Sequence, residues 1–254
     1  MVDIYPKQVH TESILPLVDN TRVQKQGFEI TAMKKGVRVL EKVFWWVEQA
    51  SLIGKTEQDV GAKIAGIMKR HGAEALAFPI IVASGSGSAD VHHWSTKRKI
   101  RKGDILMIDC GCVVDGYCTD CTRTYFIGTP TARFKKYYTA VLASQERAIK
   151  KLKVGVNASS VDAVTRNYLH KHNWGKTFKH STGHGVGINV HELPLLSQKS
   201  KDRIVANSMI TIEPGVYIKN WGGIRIEDMV LVKQRGVEIV TKRILKDIKS
   251  ATLV

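Results

Sequence analysis

The sequence predicts an α+β chain made of two similar helix–helix–sheet halves, and three observations predict it. Stretches with helical spacing are segregated from hairpin-like stretches, which argues against a doubly wound parallel sheet. The order helix, helix, strands occurs twice along the chain. Gly54 and Gly155 each stand six residues before a valine, Val60 and Val161, at the junction between two helical stretches. A glycine at a helix end is common in itself; the shared spacing is what suggests an internal repeat. The 254 residues, 43% hydrophobic and 24% charged, suffice for a substantial core and exclude wholesale disorder.

Residues 1–20 carry two prolines and little periodicity, and read as an extended lead-in. From Thr21 to Gln49, Ile30, Met33, Val37, Leu40, Phe44 and Val47 recur at helical spacing, predicting a long amphipathic helix that ends before Gly54. Thr56, three residues before Asp59, reads as the N-cap of a second helix reaching about Arg70. Pro79 to Ala83 is a strand followed by a Gly/Ser loop. Ile105–Val113 and Tyr117–Ile127 flank Asp115-Gly116, a hairpin signal. The order then repeats: Thr131 opens a helix to about Leu152, and Ser159 or Ser160 caps another to about His172. Strands are expected near Val186–Val190, Met209–Ile212, Val216–Ile218, Gly223–Val232 and Glu238–Val240.

Lys+Arg 39 against Asp+Glu 23 gives a net charge of +16. Such a surplus suits acidic partners, but Lys97-Arg98-Lys99, Arg101-Lys102 and Lys150-Lys151 lack interleaved aromatics and read as solvated faces, so nucleic acid is not the expected partner. Pro79 and the Gly/Ser cluster interrupt the most apolar stretch, Ala75 to Val91, so no membrane span is expected; nor does Met1–His10 resemble a secretory signal. Four cysteines in this length are no disulfide scaffold, and a reducing cytoplasm is the expected setting.

The chemistry lies in acids that end or interrupt apolar strands. Asp109 ends Ile105-Leu106-Met107-Ile108, and Asp120 lies in the other arm of the same hairpin. Glu213 follows Met209-Ile210-Thr211-Ile212, and Glu227 follows Gly223-Ile224-Arg225-Ile226. His184 sits among Gly183, Gly185 and Gly187, where backbone can approach a ligand closely. Any one of these acids alone reads as a salt-bridged strand end. Four carboxylates packed together would repel one another, and divalent cations are the usual remedy. Four carboxylates with one imidazole form a hard, oxygen-rich set suited to two Mn, Co, Fe or Zn ions.

Together, Asp109-x-Gly111, Asp120-x-Thr122-Arg123-Thr124, Gly183-His184-Gly185-Val186-Gly187, His191-Glu192-x-Pro194, Glu213-Pro214-Gly215 and Gly223-Ile224-Arg225-Ile226-Glu227-Asp228 resemble the pita-bread metallopeptidases. Within them the motifs are most similar to Xaa-Pro aminopeptidases and Xaa-Pro dipeptidases (prolidases). The resemblance covers roughly Val23 to Val240 and implies a pseudo-twofold α+β fold with a catalytic domain over residues 21–254. It implies that Asp109 is a bidentate ligand of one metal, Asp120 and Glu227 bridge, and His184 and Glu213 hold the other. His191 would contact the scissile carbonyl. His92 would be the upstream histidine near the substrate, with His93 as its alternate in another register. His180, Tyr217 and Arg225 would be supporting residues. The implied reaction is hydrolysis of a short peptide at Xaa-Pro by a hydroxide held between two divalent cations, manganese first, with Glu213 shuttling the proton. A homodimer stays open.

The Xaa-Pro relatives usually carry a separate N-terminal domain, expected here to be absent or reduced to residues 1–20, and the length of this sequence matches methionine aminopeptidases. Gly-Ile-Arg-Ile-Glu-Asp around Glu227 and the histidine at His180 speak against that alternative. Two further readings remain. Cys110, Cys112, Cys118 and Cys121 would form a thiolate zinc site, although small buried hydrophobes explain them adequately. A catalytically silent binding protein would not need to keep costly converging carboxylates. The five tryptophans read as packing residues, with only Trp221 near a site motif.

Overall fold

Capping chemistry divides the first helical stretch. The structure is a computed structural model describing residues 15–253, so the first fourteen residues of the expected lead-in lie outside the described residues. Leu15–Val23 forms a helix (α1), which corrects the extended reading of residues 15–20; Pro16 falls in its first turn, where no intrahelical N–H is required. The helix expected from Thr21 is therefore two. α1 stops at Val23 and α2 spans Gly27–Gln49, because the Gln26 N–H donates to Glu29 Oε2 (2.7 Å) and opens a new helix there. α2 buries Met33, Val37, Leu40, Phe44 and Val47 as its periodicity predicts. α3 (Glu57–Arg70) begins at the expected cap: Thr56 Oγ1 accepts from the Asp59 N–H (3.0 Å), and Asp59 Oδ2 accepts from the Thr56 N–H (3.2 Å).

The strands β1 (Ala75–Leu76), β2 (Ile81–Ser84), β3 (Ile105–Cys110), β4 (Cys112–Val114), β5 (Tyr117–Cys118) and β6 (Cys121–Ile127) follow. The hairpin turns at Asp115-Gly116, both at positive φ (49° and 76°), as expected of this dipeptide. Its arms divide between two sheets: β3 and β6 join β2, while β4 and β5 join β1. The second half holds α4 (Ala132–Lys151), α5 (Ala158–Lys171), β7 (Gly183–Gly185), β8 (Glu192–Leu196), β9 (Met209–Ile212), β10 (Gly215–Ile218), β11 (Gly222–Arg225), β12 (Asp228–Val232) and β13 (Val237–Ile239); β14 (Thr252–Leu253) returns to pair with β6. Three expectations shift here. Residues 186–190 are not a strand, because the pairing stretches are β7 and β8 on either side. Gly223–Val232 is two strands, β11 and β12, in different sheets. Asn157, not Ser159 or Ser160, caps α5.

The repeat read from Gly54 and Gly155 is structural. Both glycines take φ +83°. The Gly54 N–H donates to Ile100 O and Ile100 N–H returns to Lys55 O; likewise Gly155 N–H donates to Ile204 O and Ile204 N–H returns to Val156 O. Matching antiparallel bridges join Thr56 to Lys99 and Asn157 to Arg203. Each half lays its helix pair on an antiparallel core of three strands, ordered β2-β3-β6 and β7-β9-β12. The halves meet where the chain before β12 crosses β6: Glu227 N–H donates to Thr122 O (3.1 Å) and Thr124 Oγ1 donates to Arg225 O (2.8 Å). Among the described residues, no helix is long and apolar enough to cross a membrane.

Candidate metal centre

The pseudo-symmetry positions the acids in corresponding places. Asp109 lies near the end of β3 and Glu213 just past β9, while Asp120 and Glu227 immediately precede β6 and β12. His184 is the central residue of β7. The register that pairs Asp109 with Thr122 leaves Asp120 two residues away on the same face. Asp120, His184 and Glu227 each offer a ligand atom, all within 4.8 Å of one another. His184 Nε2 lies 3.3 Å from Glu213 Oε1 and 3.7 Å from Asp120 Oδ2. All five side chains line one cavity of about 600 Å³.

Behind the acids, Arg123 is fully buried; it donates to Glu227 O and, at 2.7 Å, to Asp228 Oδ1. Gln145 Nε2 donates to Ile212 O (3.0 Å) and Ile226 O (3.2 Å), fixing the residues that precede Glu213 and Glu227. This backing is buried and hydrogen-bonded throughout, so the acids have little freedom to move apart.

The residues present fit divalent cations. Burial, then the charge of neighbouring carboxylates, pushes Asp120 and Glu227 well above the usual carboxylate range, and burial raises Asp109 despite Arg225. Asp109 Oδ1 is buried without a hydrogen-bond partner among the described residues, while Oδ2 accepts from Arg225 Nη2 (2.6 Å). Burial would lower His184 and raise Glu213, but their mutual hydrogen bond wins: His184 is raised and Glu213 is brought down to about 2. His184 Nδ1 meets Gly185 O (3.0 Å), the bond that directs Nε2 toward the acids in histidine ligands of metals. A set of buried oxygens and one aimed imidazole nitrogen, crowded with negative charge and holding an orphan oxygen, suits a hard divalent cation.

The remaining expected residues ring this centre. Tyr217 hydroxyl accepts from Arg225 Nη1 (3.0 Å) and lies 2.8 Å from His180 Nε2. His180 Nδ1 meets Ser181 O (2.8 Å), which leaves Nε2 to accept the tyrosine proton. Burial lowers His180 and His191 and raises Tyr217 to about 12, so the tyrosine stays protonated at neutral pH. The His191 ring stands 4.3 Å from that of His184, edge to face. His92 and His93 both line the cavity, and His93 Nε2 also lies 2.9 Å from Glu57 Oε2.

Some cavity residues escaped the sequence. Trp94 lines the cavity, whereas Trp221 packs with Tyr137 and Arg133. Asp19 and Arg22 reach it from α1. The only sequence signal for Trp94 was its place two residues after His92. The four cysteines do not converge: Cys112 Sγ meets Thr119 Oγ1 (3.4 Å), Cys118 Sγ meets Ile188 O (3.3 Å) and Cys121 Sγ meets Glu227 O (3.5 Å). Burial raises all four thiols, so they behave as small hydrophobes rather than thiolate ligands.

Comparison with known proteins gives one consistent family. The profile of "Metallopeptidase family M24" matches residues 31–234. The chain is 37% identical over 226 residues to an Xaa-Pro dipeptidase of Pyrococcus horikoshii, covering 89% of this chain and 64% of that protein. Among solved structures it resembles a prolidase from Pyrococcus furiosus (TM-score 0.89, 36% identity, 91% of this chain and 68% of that one). It equally resembles an X-Pro aminopeptidase from Thermotoga maritima (TM-score 0.89, 36% identity, 94% and 66%). The chain thus spans 64% and 65% of the length of the two Pyrococcus dipeptidases it matches.

Proposed function

The chain belongs to metallopeptidase family M24, and from that premise we propose that it is an exopeptidase that hydrolyses short peptides at Xaa-Pro bonds with two divalent cations. The single observation that carries the reading is the convergence of Asp109, Asp120, His184, Glu213 and Glu227, from distant parts of the chain, on one cavity. Asp109 would hold one cation, His184 and Glu213 the other, with Asp120 and Glu227 shared between them; manganese suits this oxygen-rich set best. Bound there, the cations lower the pKa of the attacking water and polarise the scissile carbonyl.

The chain's own residues supply the rest. Glu213, ionised over the working range, takes the proton from the attacking water and passes it to the leaving nitrogen. His191 and His92 stand over the cavity to hold the carbonyl oxygen as it gains charge. Arg225 fixes one oxygen of Asp109, and Tyr217 carries that order on to His180. Proline needs a dedicated site because its nitrogen has no N–H and its ring restricts the backbone. The four buried thiols agree with a reducing cytoplasm.

Chelator-stripped protein reloaded with Mn, Co or Zn would be assayed on Ala-Pro, Ala-Pro-Ala and Met-Ala-Ser. Metal-dependent cleavage of the proline peptides is expected. Release from the dipeptide alone makes it a dipeptidase; cleavage of only the methionine peptide moves the assignment to methionine aminopeptidase, and no cleavage with any metal overturns the enzyme.

A further inference from the structure

One buried carboxylate outside the metal centre organises the loop that faces it. Glu57, the first residue of α3, is fully buried and far in sequence from every acid of the centre. Its Oε1 accepts from the N–H (2.8 Å) and the hydroxyl (2.6 Å) of Ser84. Its Oε2 accepts from the N–H (2.9 Å) and hydroxyl (2.8 Å) of Thr96 and lies 2.9 Å from His93 Nε2. These bonds hold the carboxyl below its usual range although burial alone would raise it, as expected of a carboxylate whose lone pairs are nearly all engaged. A second tie, from the Val82 N–H to Ser95 Oγ (2.9 Å), fastens the same loop to β2.

The consequence is an alternation. His93 and Ser95 are held by side-chain bonds and half-buried, so Trp94 between them and His92 just before them are turned outward, and His92, His93 and Trp94 all line the cavity. Trp94 is 77% exposed, and beside it the cavity wall carries Phe78, Ile80, Val91 and Leu195. A tryptophan so open to water, joined to an apolar wall above a polar floor, is a surface that a ligand's apolar group would cover. Resting on the Xaa-Pro reading, we propose that Trp94 is a specificity-determining residue that contacts an apolar side chain flanking the scissile bond, and that Glu57 is the positioning residue that presents Trp94 and His92 together.

The test uses the metal-loaded full chain on Leu-Pro-Gly, Gly-Pro-Leu and Gly-Pro-Gly, with wild type, Trp94→Ala, Glu57→Gln and the double variant. Wild type is expected to prefer one leucine peptide over Gly-Pro-Gly by about tenfold in kcat/KM, the scale of discrimination by a few methylenes in an apolar pocket. Trp94→Ala erases that preference, mainly by raising KM for the preferred leucine peptide. In Glu57→Gln the amide N–H₂ faces the donors of Ser84 or Thr96, so kcat falls on every peptide and the preference flattens. General destabilisation by Glu57→Gln would lower the rate on all three peptides equally and keep the preference, so a flattened preference in protein shown to be folded by circular dichroism marks the positioning role, and in the double variant kcat falls as in Glu57→Gln. Equal rates on the three peptides in wild type, or a Trp94→Ala enzyme that keeps the preference, overturns the specificity role. A Glu57→Gln enzyme that keeps the wild-type preference among the peptides, or that has wild-type kinetics, overturns the positioning role. If wild type cleaves no proline peptide but does cleave Met-Ala-Ser, the Xaa-Pro reading itself has failed and takes the proposal with it.

Discussion

Replacing Gly183 by alanine would drive a methyl group into the strand beside it. A Cβ at this position would lie 1.9 Å from Thr211 O and 2.7 Å from Thr211 C, both backbone atoms that cannot swing aside. Ordinary contact needs about 3.5 Å, so β7 and β9 must part by roughly 1.6 Å. That opening breaks or stretches the His184 N–H bond to Thr211 Oγ1 (3.0 Å) and the Glu213 N–H bond to Thr182 O (2.9 Å). Two buried hydrogen bonds at about 1 kcal/mol each, with about 1–3 kcal/mol of overpacking strain, give a loss of about 3–5 kcal/mol. For a chain of this size the melting temperature should fall by roughly 10 °C. Because His184 shifts against Glu213 by more than the ~0.5 Å that a ligand set tolerates, Mn affinity measured by calorimetry should fall at least about tenfold. Gly66→Ala is the control: its Cβ would meet only Arg70 Nη1, at 3.7 Å, in the middle of α3, and should stabilise by about 0.5–1 kcal/mol. A Gly183→Ala protein that melts with wild type and binds Mn with unchanged affinity would show the close approach of β7 and β9 to be wrong.

Tyr217→Phe removes the hydroxyl that lies between Arg225 Nη1 and His180 Nε2, and should lower kcat on Ala-Pro about tenfold or more at a cost of about 1–2 kcal/mol in stability, read by kinetics and urea unfolding; full activity would remove Tyr217 from the site. Asp228 gives a pH dependence. Burial alone would raise its carboxyl, but Arg123 and Lys246 bring it down to about 2 from an ordinary 3.8. Its folded-state value is depressed, so its stabilisation of about 2 kcal/mol is complete above pH 4 or so and is lost as pH falls through about 2. Asp228→Asn leaves both cations uncompensated and should cost about 3–5 kcal/mol at pH 7 in the metal-free protein. The gap from wild type in urea unfolding should narrow below about pH 4, and a gap that stays constant to pH 2.5 would refute the assignment.

The sequence carried the local structure wherever a short stretch decides its own conformation. Thr56 with Asp59 caps a helix by bonds that span three residues, and Asp115-Gly116 turns a hairpin by its own backbone preference, so both were legible. The helix boundary at Gln26 was not, because continuous apolar periodicity masks a break made by one Glu29 bond. Nor were the ends of β7 and β8, where glycines carry little strand signal and the pairing partner decides.

The candidate site divides along the same line. Acids closing apolar strands are visible in the chain, because a lone carboxylate at such a place is costly in any fold. The motifs also named the histidines around them. Only the folded chain showed that His93, which lines the cavity beside His92, is also tied to a buried Glu57 dozens of residues away. Trp94 and Arg22 became cavity residues only when the loop and α1 were brought against β7 and β8. Burial and local hydrogen bonding are properties of neighbouring residues and can be read in order; which distant surfaces share one cavity is set by packing, and no stretch of sequence contains it.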